Sequence, residues 1–443
     1  MATPKFITID EFKGLIKSDM SIMIGGFGYC GYPLALTTTM CDMDLHGLTL
    51  IGHGPNAENT GHGPLLFSGR AKKYITSIMS AEFAASETYK SGKVEVEHCP
   101  MGTMVERMRA GGYGLGGVLT PAGVGTDIEA KEEVIEVDGK RYILAKALRA
   151  DVALLHANTA DKLGNLHFEG TTANFNTQMA MAADTVIVQV DKVVEIGEID
   201  PDDVTIPGCV VDYIVEVTPV HRRRKEHIID TSKKDIAARA GKLFKNGDVV
   251  NLGIGIPTLI PDYLPEGVKI FVHGEDGVIG IEGADTDEYA SGNYVDAGAW
   301  PVTLIPGAST FDCGMSFGIM RGGHLDVTCL GCYEVDASGS FANWTIPGVR
   351  ETGMGGAMDL VAGTKCVVVT MTHTDKKGNP KILNKCTLPL TGKNCVDYIV
   401  TELCILHVTD EGLVLEDLAD GVTVEELQAK TEPTIIVPEK FRK

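Results

Sequence analysis

One pattern of residues recurs in the two halves of the chain and limits what it can fold into. The segment "ADVALLHANTADKLGNLHF" begins at Ala150, and "LDVTCLGCYEVDASGSFAN" begins at Leu325. At three positions the same residue type returns 175 residues later: Asp151 and Asp326, Asp161 and Asp336, Gly164 and Gly339. A constant offset at three positions indicates a duplication, so we expect two copies of one structural plan.

The start of each half predicts the same order of helix, strand and glycine loop. Thr8 and Glu11 have the spacing of a helix capping box, and Ser232 is expected to cap the helix that opens the second half. The dipeptide "NG" at 246–247 is expected to end that second helix. A short apolar strand and a glycine loop follow each helix, as "IMIGGFGYCGYP" and "VVNLGIGIP". The glycines that correspond are Gly26 with Gly253 and Gly28 with Gly255.

The apolar runs "TVIVQV" after Asp184 and "KCVVVTM" after Thr364 predict strands that are buried on both faces. Such strands between helices are typical of α/β proteins. We therefore predict an α/β fold of two related open domains with mostly parallel sheets, produced by the duplication. The predicted domains are 1–220 and 232–443, joined by a linker at 221–231 that contains the basic run "HRRRKEH".

The charge of the chain argues against two classes of partner. Its formal net charge is −21, whereas nucleic acids and anionic membrane surfaces favour a basic protein surface. No stretch approaches the length of a membrane span, and the N-terminal "MATPKFITIDEFK" has no apolar signal core. The sequence predicts a cytoplasmic protein that binds neither nucleic acid nor a membrane.

The eleven cysteines are scattered, except that Cys329 and Cys332 form a single C-x-x-C. A zinc site of this type needs a second pair of ligands at a matching spacing, which the sequence lacks. The cysteines are therefore expected to be free thiols in a reducing compartment, and no metal is predicted.

Gly26, Gly28 and Gly31 have the spacing G-x-G-x-x-G of a dinucleotide-binding loop. Such a site needs an acidic residue at the end of the next strand to hold the ribose. The next apolar strand, "LTLIGHG" at 48–54, ends without one, and Pro33 falls early in the segment that would become the helix. The residues thus disfavour a nicotinamide or flavin cofactor. A glycine turn without a ligand and a loop for another ligand both remain open.

Glu275 lies in "VHGEDGVIGIEG", between Gly274 and the pair Asp276 and Gly277, directly after the strand-like "VKIFV". A tight turn at a strand end can present a carboxylate to a substrate, as strand-end turns present other nucleophiles. From this stretch alone, a solvated glutamate in an ordinary Asp-Gly turn is the simpler interpretation.

A series of motifs runs in order along nearly the whole chain: "GGFGYCGYP", "GTMVERMRAGGYGLGGVLTPAGVGT", "NLGIGIPTL", "GEDG", "PGASTFD", "SFGIMRGGHLD", "NWTIPG", "GMGGAMDLVAGTK" and "LPLTG". Together they resemble the family I coenzyme A transferases, in particular the 3-oxoacid type. The resemblance implies that the first half is similar to the family's α subunit and the second half to its β subunit.

The resemblance also implies roles for named residues. Glu275 is implied as the catalytic nucleophile, and coenzyme A is expected at Asn251, Gly253, Gly355 and Gly356. The loop of Gly26, Phe27 and Gly28 is expected to face Glu275 and to polarise the thioester oxygen through backbone N–H groups. The implied substrates are an acyl-CoA and a small carboxylic acid, with no separate cofactor, and the implied assembly is a homodimer or homotetramer.

Three positions depart from the usual pattern of the family. Asp276 stands where Asn is common, Met101 stands where many members have Gln, and "DAGAW" at 296–300 replaces "NAGK". These departures leave the class of enzyme unchanged and leave the acyl specificity open.

A transferase of this type must conserve the thioester energy, so the enzyme itself should carry coenzyme A between the two acids. Glu275 would attack the donor thioester to give an acyl-glutamyl anhydride, and the released thiolate would convert that anhydride to a glutamyl-CoA thioester. Because an anhydride hydrolyses readily, the site is expected to be closed and dry. An acyl-CoA hydrolase on the same fold remains a second possibility. A sugar-phosphate isomerase or ligand-sensing module is a third, although the sequence around Glu275 offers no phosphate-binding cation.

The acid is predicted from where positive charge is missing. No Lys or Arg lies between Lys17 and Arg70 or between Lys269 and Arg321, the segments that hold both expected site loops. A dicarboxylate such as succinate would bury its second charge without a partner, which is costly. The expected acids are therefore acetate, butyrate and acetoacetate, and a dicarboxylate such as succinate or 3-oxoadipate is the alternative.

The glycine loop is also expected to form part of the acyl pocket. Phe27, Tyr29 and Tyr32, with Met101 nearby, would give an apolar wall with phenol donors for a short alkyl or 3-oxo chain.

Overall fold

The computed structural model of the chain describes residues 3–56, 60–218, 233–285 and 292–442. The predicted linker at 221–231 and the predicted cap Ser232 lie outside these ranges, so the domain boundaries stay a prediction. The first-half strands are β1 (Lys5–Phe6), β2 (Ser21–Ile24), β3 (Leu48–Gly52), β4 (Ala71–Thr76), β5 (Glu95–His98), β6 (Gly117–Thr120), β7 (Val134–Val137), β8 (Lys140–Lys146), β9 (Ala150–Asp161), β10 (Leu166–His167), β11 (Ala183–Val194) and β12 (Tyr213–Glu216). The first-half helices are α1 (Ile9–Lys13), α2 (Leu34–Cys41), α3 (Gly63–Phe67), α4 (Ala81–Ala85), α5 (Glu87–Lys90), α6 (Met101–Gly112) and α7 (Asn176–Met181).

The second half has its own strands and helices. Its strands are β13 (Val249–Leu252), β14 (Phe271–Gly274), β15 (Val278–Ala284), β16 (Val302–Thr310), β17 (Val327–Gly331), β18 (Glu334–Asp336), β19 (Phe341–Ala342), β20 (Thr345–Ile346), β21 (Arg350–Glu351), β22 (Cys366–Thr370), β23 (Ile382–Leu383), β24 (Tyr398–Val400), β25 (Cys404–Thr409), β26 (Gly412–Leu418) and β27 (Ile435–Ile436). Its helices are α8 (Lys234–Gly241), α9 (Cys313–Arg321), α10 (Ala357–Gly363) and α11 (Val424–Ala429).

The two large sheets have the same central plan. The first sheet has the order β1-β12-β11-β9-β2-β3-β4-β5, and all neighbours on this path are parallel. The second has the order β16-β15-β14-β13-β17-β22-β24-β25-β26-β27, with parallel pairing from β14 to β24. The order β12-β11-β9-β2-β3 thus returns as β24-β22-β17-β13-β14. This identity confirms the predicted α/β fold of two related, mostly parallel sheets.

The repeated aspartates have the same hydrogen bonds in both halves. The Asp151 carboxylate accepts the amide of Ser21, the first residue of β2, at 2.7 Å. Asp326 accepts the amide of Val249, the first residue of β13, at 2.9 Å. Each aspartate therefore holds the central strand of its sheet to the neighbouring strand.

The second repeated pair forms the same turn. The amides of Gly164 and Gly339 donate to the carbonyls of Asp161 and Asp336, at 2.9 and 3.0 Å. Both glycines have positive φ, 88° and 76°, a conformation that only glycine adopts without strain. The offset that indicated a duplication thus marks residues with equivalent backbone roles.

A helix forms at the start of each half, as predicted, but the predicted end of the second one is wrong. The capping box of Thr8 and Glu11 is confirmed, with both reciprocal hydrogen bonds present. Helix α8 ends at Gly241, before the predicted stop at 246–247. After Gly241 the amide of Phe244 donates to the carbonyl three residues back, a tighter turn that carries Phe244 into the core.

One hydrophobic cluster crosses from the first half to the second. It contains Met101 and Met104 of α6 together with Phe317 and Met320 of α9. This packing places the start of α6 beside the start of α10, where the Met101 amide donates to the Gly355 carbonyl at 2.9 Å. A seam between the two halves results, and the candidate site lies along it.

Two further predictions concern cysteines and membranes. Cys329 and Cys332 are buried free thiols, as predicted. In the part of the chain that the structure describes, no helix has both the length and the apolar character needed to cross a membrane. The cytoplasmic location stays a prediction.

Candidate active site

Glu275 sits at the tip of a hairpin formed by β14 and β15. The amide of Gly277 donates to the carbonyl of Gly274 at 3.1 Å and closes the turn, and Gly277 has a φ of 114°. A Cβ at position 277 would collide with the Phe311 carbonyl, so only glycine fits there. Glu275 is only 9% exposed. The interpretation of Glu275 as a solvated glutamate is therefore wrong.

The surroundings of the Glu275 carboxyl group make its charged form less stable. Burial, together with the nearby Asp359 carboxylate, raises the pKa of Glu275 to about 7. The backbone N–H of Gly356, which faces the carboxyl group, opposes this shift by stabilising the anion. A buried carboxylate with a pKa near neutrality is a strong candidate for a nucleophile or a proton carrier.

Gly356 lets the N-terminus of α10 come against the Glu275 carboxyl group. A Cβ at 356 would lie 2.6 Å from Glu275 Oε2 and 2.8 Å from Cδ, closer than real Cβ contacts. Gly356 itself has an ordinary helical φ of −87°. The requirement for glycine here comes from this close approach, because the backbone conformation alone would suit any residue.

Asp359 is a site residue that the sequence interpretation missed, although it lies in the quoted motif "GMGGAMDLVAGTK". It is fully buried, accepts the amide of Gly102 at 2.9 Å and pairs with Arg321 at 3.1 Å. Arg321 also pairs with Glu106 of the first half at 2.6 Å. This network fixes α10, and with it Gly356, against the first half.

The glycine loop of the first half has the backbone that its sequence suggested. Gly26 and Gly28 have φ values of 106° and 57°, and neither amide donates to a group in the described ranges. The Phe27 amide, by contrast, donates to the Cys30 carbonyl at 2.9 Å, so it is used inside the loop. A Cβ at Gly28 would lie 2.5 Å from the Cβ of Ala299, so the loop packs directly on the second half.

The loop and the Glu275 turn meet through two small side chains. The Cys30 thiol lies 3.3 Å from the Thr171 hydroxyl, and Thr171 faces Asp276. On the other side, the Cys313 thiol lies 3.7 Å from the Glu275 carbonyl oxygen. The glycine loop thus approaches the Glu275 turn through Cys30 and Thr171, and the implied role of Gly26 and Gly28 towards Glu275 stays a prediction.

The predicted coenzyme residues fall into two groups. Gly356 touches Glu275, and Gly355 beside it has a φ of 53° and approaches Ile78. Asn251 is fully buried, and its side-chain amide donates to the His273 carbonyl at 3.3 Å. Gly253 follows it with its amide bonded to the Cys329 carbonyl at 2.9 Å. Asn251 therefore lies beneath the turn and contacts it through His273, which precedes Glu275 by two positions in the chain.

The prediction that the phenols of Tyr29 and Tyr32 serve as donors in the acyl pocket needs correction. The Tyr32 hydroxyl lies 2.8 Å from His62 Nδ1 inside the core, and the Tyr29 hydroxyl lies 2.6 Å from the Thr60 hydroxyl. Both phenols are thus engaged within the first half, because the loop folds back on its own domain. Met101 is fully buried.

A second residue that the sequence interpretation missed is His53, which follows β3. Its ring stacks on Phe27 with the centroids 4.2 Å apart. Its signal in the sequence is the histidine of "LTLIGHG", at the strand end where a dinucleotide site would need an acidic residue. Within the described residues no group of three His, Cys, Asp or Glu side chains could hold a metal ion. The absence of a cofactor stays an expectation.

Comparison with known proteins gives matches over nearly the whole chain. The family model described as Coenzyme A transferase matches residues 7–217 and again 233–430. The succinyl-CoA:3-ketoacid coenzyme A transferase 2A, mitochondrial, of Rattus norvegicus is 37% identical over 462 residues, covering 96% of this chain and 88% of that protein.

The subunits of the acetate CoA-transferase of Escherichia coli strain K12 match separately. The β subunit is 44% identical over 201 residues, which is 45% of this chain and 92% of the subunit. The α subunit is 40% identical over 211 residues, which is 48% of this chain and 96% of the subunit. Among solved structures, an acyl-CoA transferase apoenzyme from Escherichia coli O157:H7 superposes with a TM-score of 0.81 at 22% identity, covering 99% of this chain and 94% of that one.

Proposed function

The chain belongs to the coenzyme A transferase family, whose enzymes transfer coenzyme A between an acyl-CoA and an acid, and we propose that Glu275 is the nucleophile of this transfer. One observation carries the proposal: a buried carboxyl group on a strand-end turn, with the N–H of Gly356 directed at it. Its raised pKa leaves a large fraction of Glu275 ionised at neutral pH while keeping the anion reactive.

The transfer proceeds in two exchanges on Glu275. A carboxylate oxygen of Glu275 attacks the thioester carbonyl, the carbon–sulfur bond breaks, and an anhydride and a thiolate form. The thiolate then attacks the glutamyl carbonyl, the anhydride carbon–oxygen bond breaks, and the first acid leaves as a carboxylate. The acceptor carboxylate attacks the resulting glutamyl-CoA thioester, and the same steps run in reverse.

The surrounding groups support these exchanges. The Gly356 N–H, which faces the Glu275 carboxyl group, is the donor proposed for the oxyanion that forms on the glutamyl carbonyl. The amides of Gly26 and Gly28 are the donors proposed for the oxyanion on the substrate carbonyl. Burial of the turn limits access of water to the anhydride, which favours transfer over hydrolysis.

Trapping the covalent intermediate tests the proposal. Incubation with acyl-CoA and no acceptor should add the mass of coenzyme A to the wild type on the peptide that contains Glu275. Glu275→Gln and Glu275→Ala should show no adduct and lose transfer by several orders of magnitude. Glu282→Gln, on the exposed side of β15, is the matched control and should behave as the wild type. An adduct that persists in Glu275→Gln would refute the assignment, and steady release of free coenzyme A without acceptor would indicate a hydrolase.

We further propose that the acids are short monocarboxylates, namely acetate, butyrate or acetoacetate. Arg70 donates to the carbonyls of Cys41 and Met43, away from Glu275. Arg321 comes nearer, but Asp359 and Glu106 already neutralise it. The higher identity of the two segments to an acetate CoA-transferase agrees with this choice, whereas the name of the rat relative includes succinyl-CoA.

The acid is tested by comparing kcat/KM for acetate, butyrate and succinate with acetoacetyl-CoA as the donor. Acetate and butyrate should exceed succinate, because Arg321, which would have to pair with the second carboxylate of succinate, is already paired with Glu106 and Asp359. Succinate equal to or better than the monocarboxylates would refute the charge argument and leave the Glu275 assignment intact. The homo-oligomer stays a prediction.

A further inference from the structure

Asp276 is buried beside the proposed nucleophile, and among the described residues neither of its carboxyl oxygens has a hydrogen-bond partner. It is 0% exposed, although it occupies the second position of a hairpin turn. Gly274 makes room for it, since a Cβ at 274 would lie 2.7 Å from Asp276 Oδ1. An isolated carboxylate in such a place loses its hydration without compensation.

The titratable groups around Asp276 that the structure describes come from four segments, and all of them are acids or thiols. Glu275 adjoins it on the turn, and Asp296 acts on it from the 292–301 segment. Cys313 faces it from the start of α9, and Cys313 is in turn adjoined by Asp312 and by Cys30 of the glycine loop. Each of these groups is neutral or negative, so none stabilises an anion on Asp276.

Thr171 is the hydroxyl that faces the Asp276 carboxyl group. Its one proton is directed to the Asn293 carbonyl at 3.1 Å, and neither oxygen of Asp276 has a well-aligned donor among the described residues. A hydroxyl group has a single O–H, so a hydroxyl that already donates one hydrogen bond can only accept others. A protonated Asp276 satisfies that acceptor, whereas an ionised one does not.

We propose that Asp276 is a positioning residue that works as a neutral carboxylic acid, donating its proton towards Thr171 and keeping the turn free of a second negative charge. The hydrogen-bond chain Asp276, Thr171, Asn293 would then join the Glu275 turn to the first half. Burial, which raises the pKa of Asp276 well above its ordinary value, agrees with this state. The role in positioning Glu275 rests on the proposed function, but the neutral state of Asp276 does not.

Native isoelectric focusing tests the neutral state without using activity. The isoelectric point calculated from the sequence is about 5.0, where an ordinary aspartate is ionised. Asp276→Asn, with the amide verified by mass spectrometry, should have the same isoelectric point as the wild type. Asp10→Asn is the matched control, because the side chain of Asp10 is 88% exposed and Lys13 lowers its pKa. This substitution removes one negative charge and should therefore raise the isoelectric point. A shift of Asp276→Asn equal to that of Asp10→Asn would overturn the proposal.

Adduct formation tests the positioning role. Asp276→Asn keeps a neutral donor of the same shape and should retain the rate of glutamyl-CoA formation within about threefold. Asp276→Leu removes the donor and should lose on the order of 10²-fold, the cost of a misplaced catalytic group. Inactivity of a folded Asp276→Asn would overturn the role, since it would mean that the charge is required. An absent adduct in the wild type would instead refute the proposed function and leave the focusing result to decide the neutral state.

Discussion

Replacement of Gly356 by alanine should damage the site by moving the Glu275 carboxyl group and nothing else. The backbone at 356 is helical, so alanine adopts it without strain and keeps the N–H that faces Glu275. The new Cβ would lie 2.6 Å from Glu275 Oε2, whereas ordinary contacts begin at 3.4 Å. Either the carboxyl group or the start of α10 must therefore move by about 0.8 Å. Because Arg321 and the Gly102 amide hold Asp359 of α10 in place, the carboxyl group is the part that moves.

A displacement of about 1 Å at a reacting group costs on the order of 10² in rate. Such a loss corresponds to about 2.7 kcal/mol of transition-state stabilisation. The assay is kcat/KM for transfer, together with the rate of glutamyl-CoA formation in a single turnover. Both should fall by about that factor in Gly356→Ala, while the melting temperature changes little.

Gly318→Ala is the matched control. Gly318 lies inside α9 on the same side of the seam, and a Cβ there would meet nothing within 4 Å. Its activity should equal the wild type, and its stability should rise by up to about 1 kcal/mol, because alanine is the better helix former. Wild-type rates in Gly356→Ala would refute the argument that glycine is needed for approach to Glu275.

Two further predictions concern stability. Glu275→Gln should be more stable than the wild type at pH 8 by about 3 kcal/mol, measured by urea unfolding. The folded pKa of about 7 exceeds the reference value of 4.5, so the stability that the protonated Glu275 contributes is present below pH 4.5 and lost as the pH rises through 7. The difference between the proteins should shrink towards pH 5, and a constant difference would contradict the shift. Arg321→Met should lose about 3–5 kcal/mol, because it leaves the buried Asp359 without a positive partner while Glu106 keeps Arg109, whereas Arg149→Met, at an exposed pair, should lose less than about 1 kcal/mol. Equal losses would refute the importance of the buried network.

The parts of the fold that could be predicted from the sequence are those whose cause is local. An aspartate that caps a strand or a turn acts on amides a few residues away or on the next strand, and the same residue type is needed in both copies. Asp161 and Asp336 could therefore be paired by their spacing alone. The end of α8 was predicted wrongly because Phe244 enters the core through a tighter turn. Its burial, rather than the "NG" signal, sets the boundary.

The candidate site was only partly predictable, because its parts meet across long separations. The position of Glu275 on a turn followed from its glycine neighbours, but its burial did not, since the residue that closes on its carboxyl group, Gly356, comes from the start of α10, far along the chain. Asp359 and Arg321 carry no local signal of pairing. Their contact depends on how α9 and α10 pack against α6.

The duplication places equivalent strands at equivalent edges, yet the two copies present different side chains there. In both sheets the strand next to the central one, β3 or β14, ends beside a glycine loop, the point where ligands meet open α/β sheets. After β14 the chain presents Glu275, whereas after β3 it presents His53, which stacks on Phe27 of the glycine loop. The first copy therefore uses this edge to support a loop, and that loop packs on Ala299 of the second copy. Glu275 and Gly356, which closes on its carboxyl group, therefore both come from the second copy, and the first copy braces them through the Gly102 amide, which donates to Asp359 of α10.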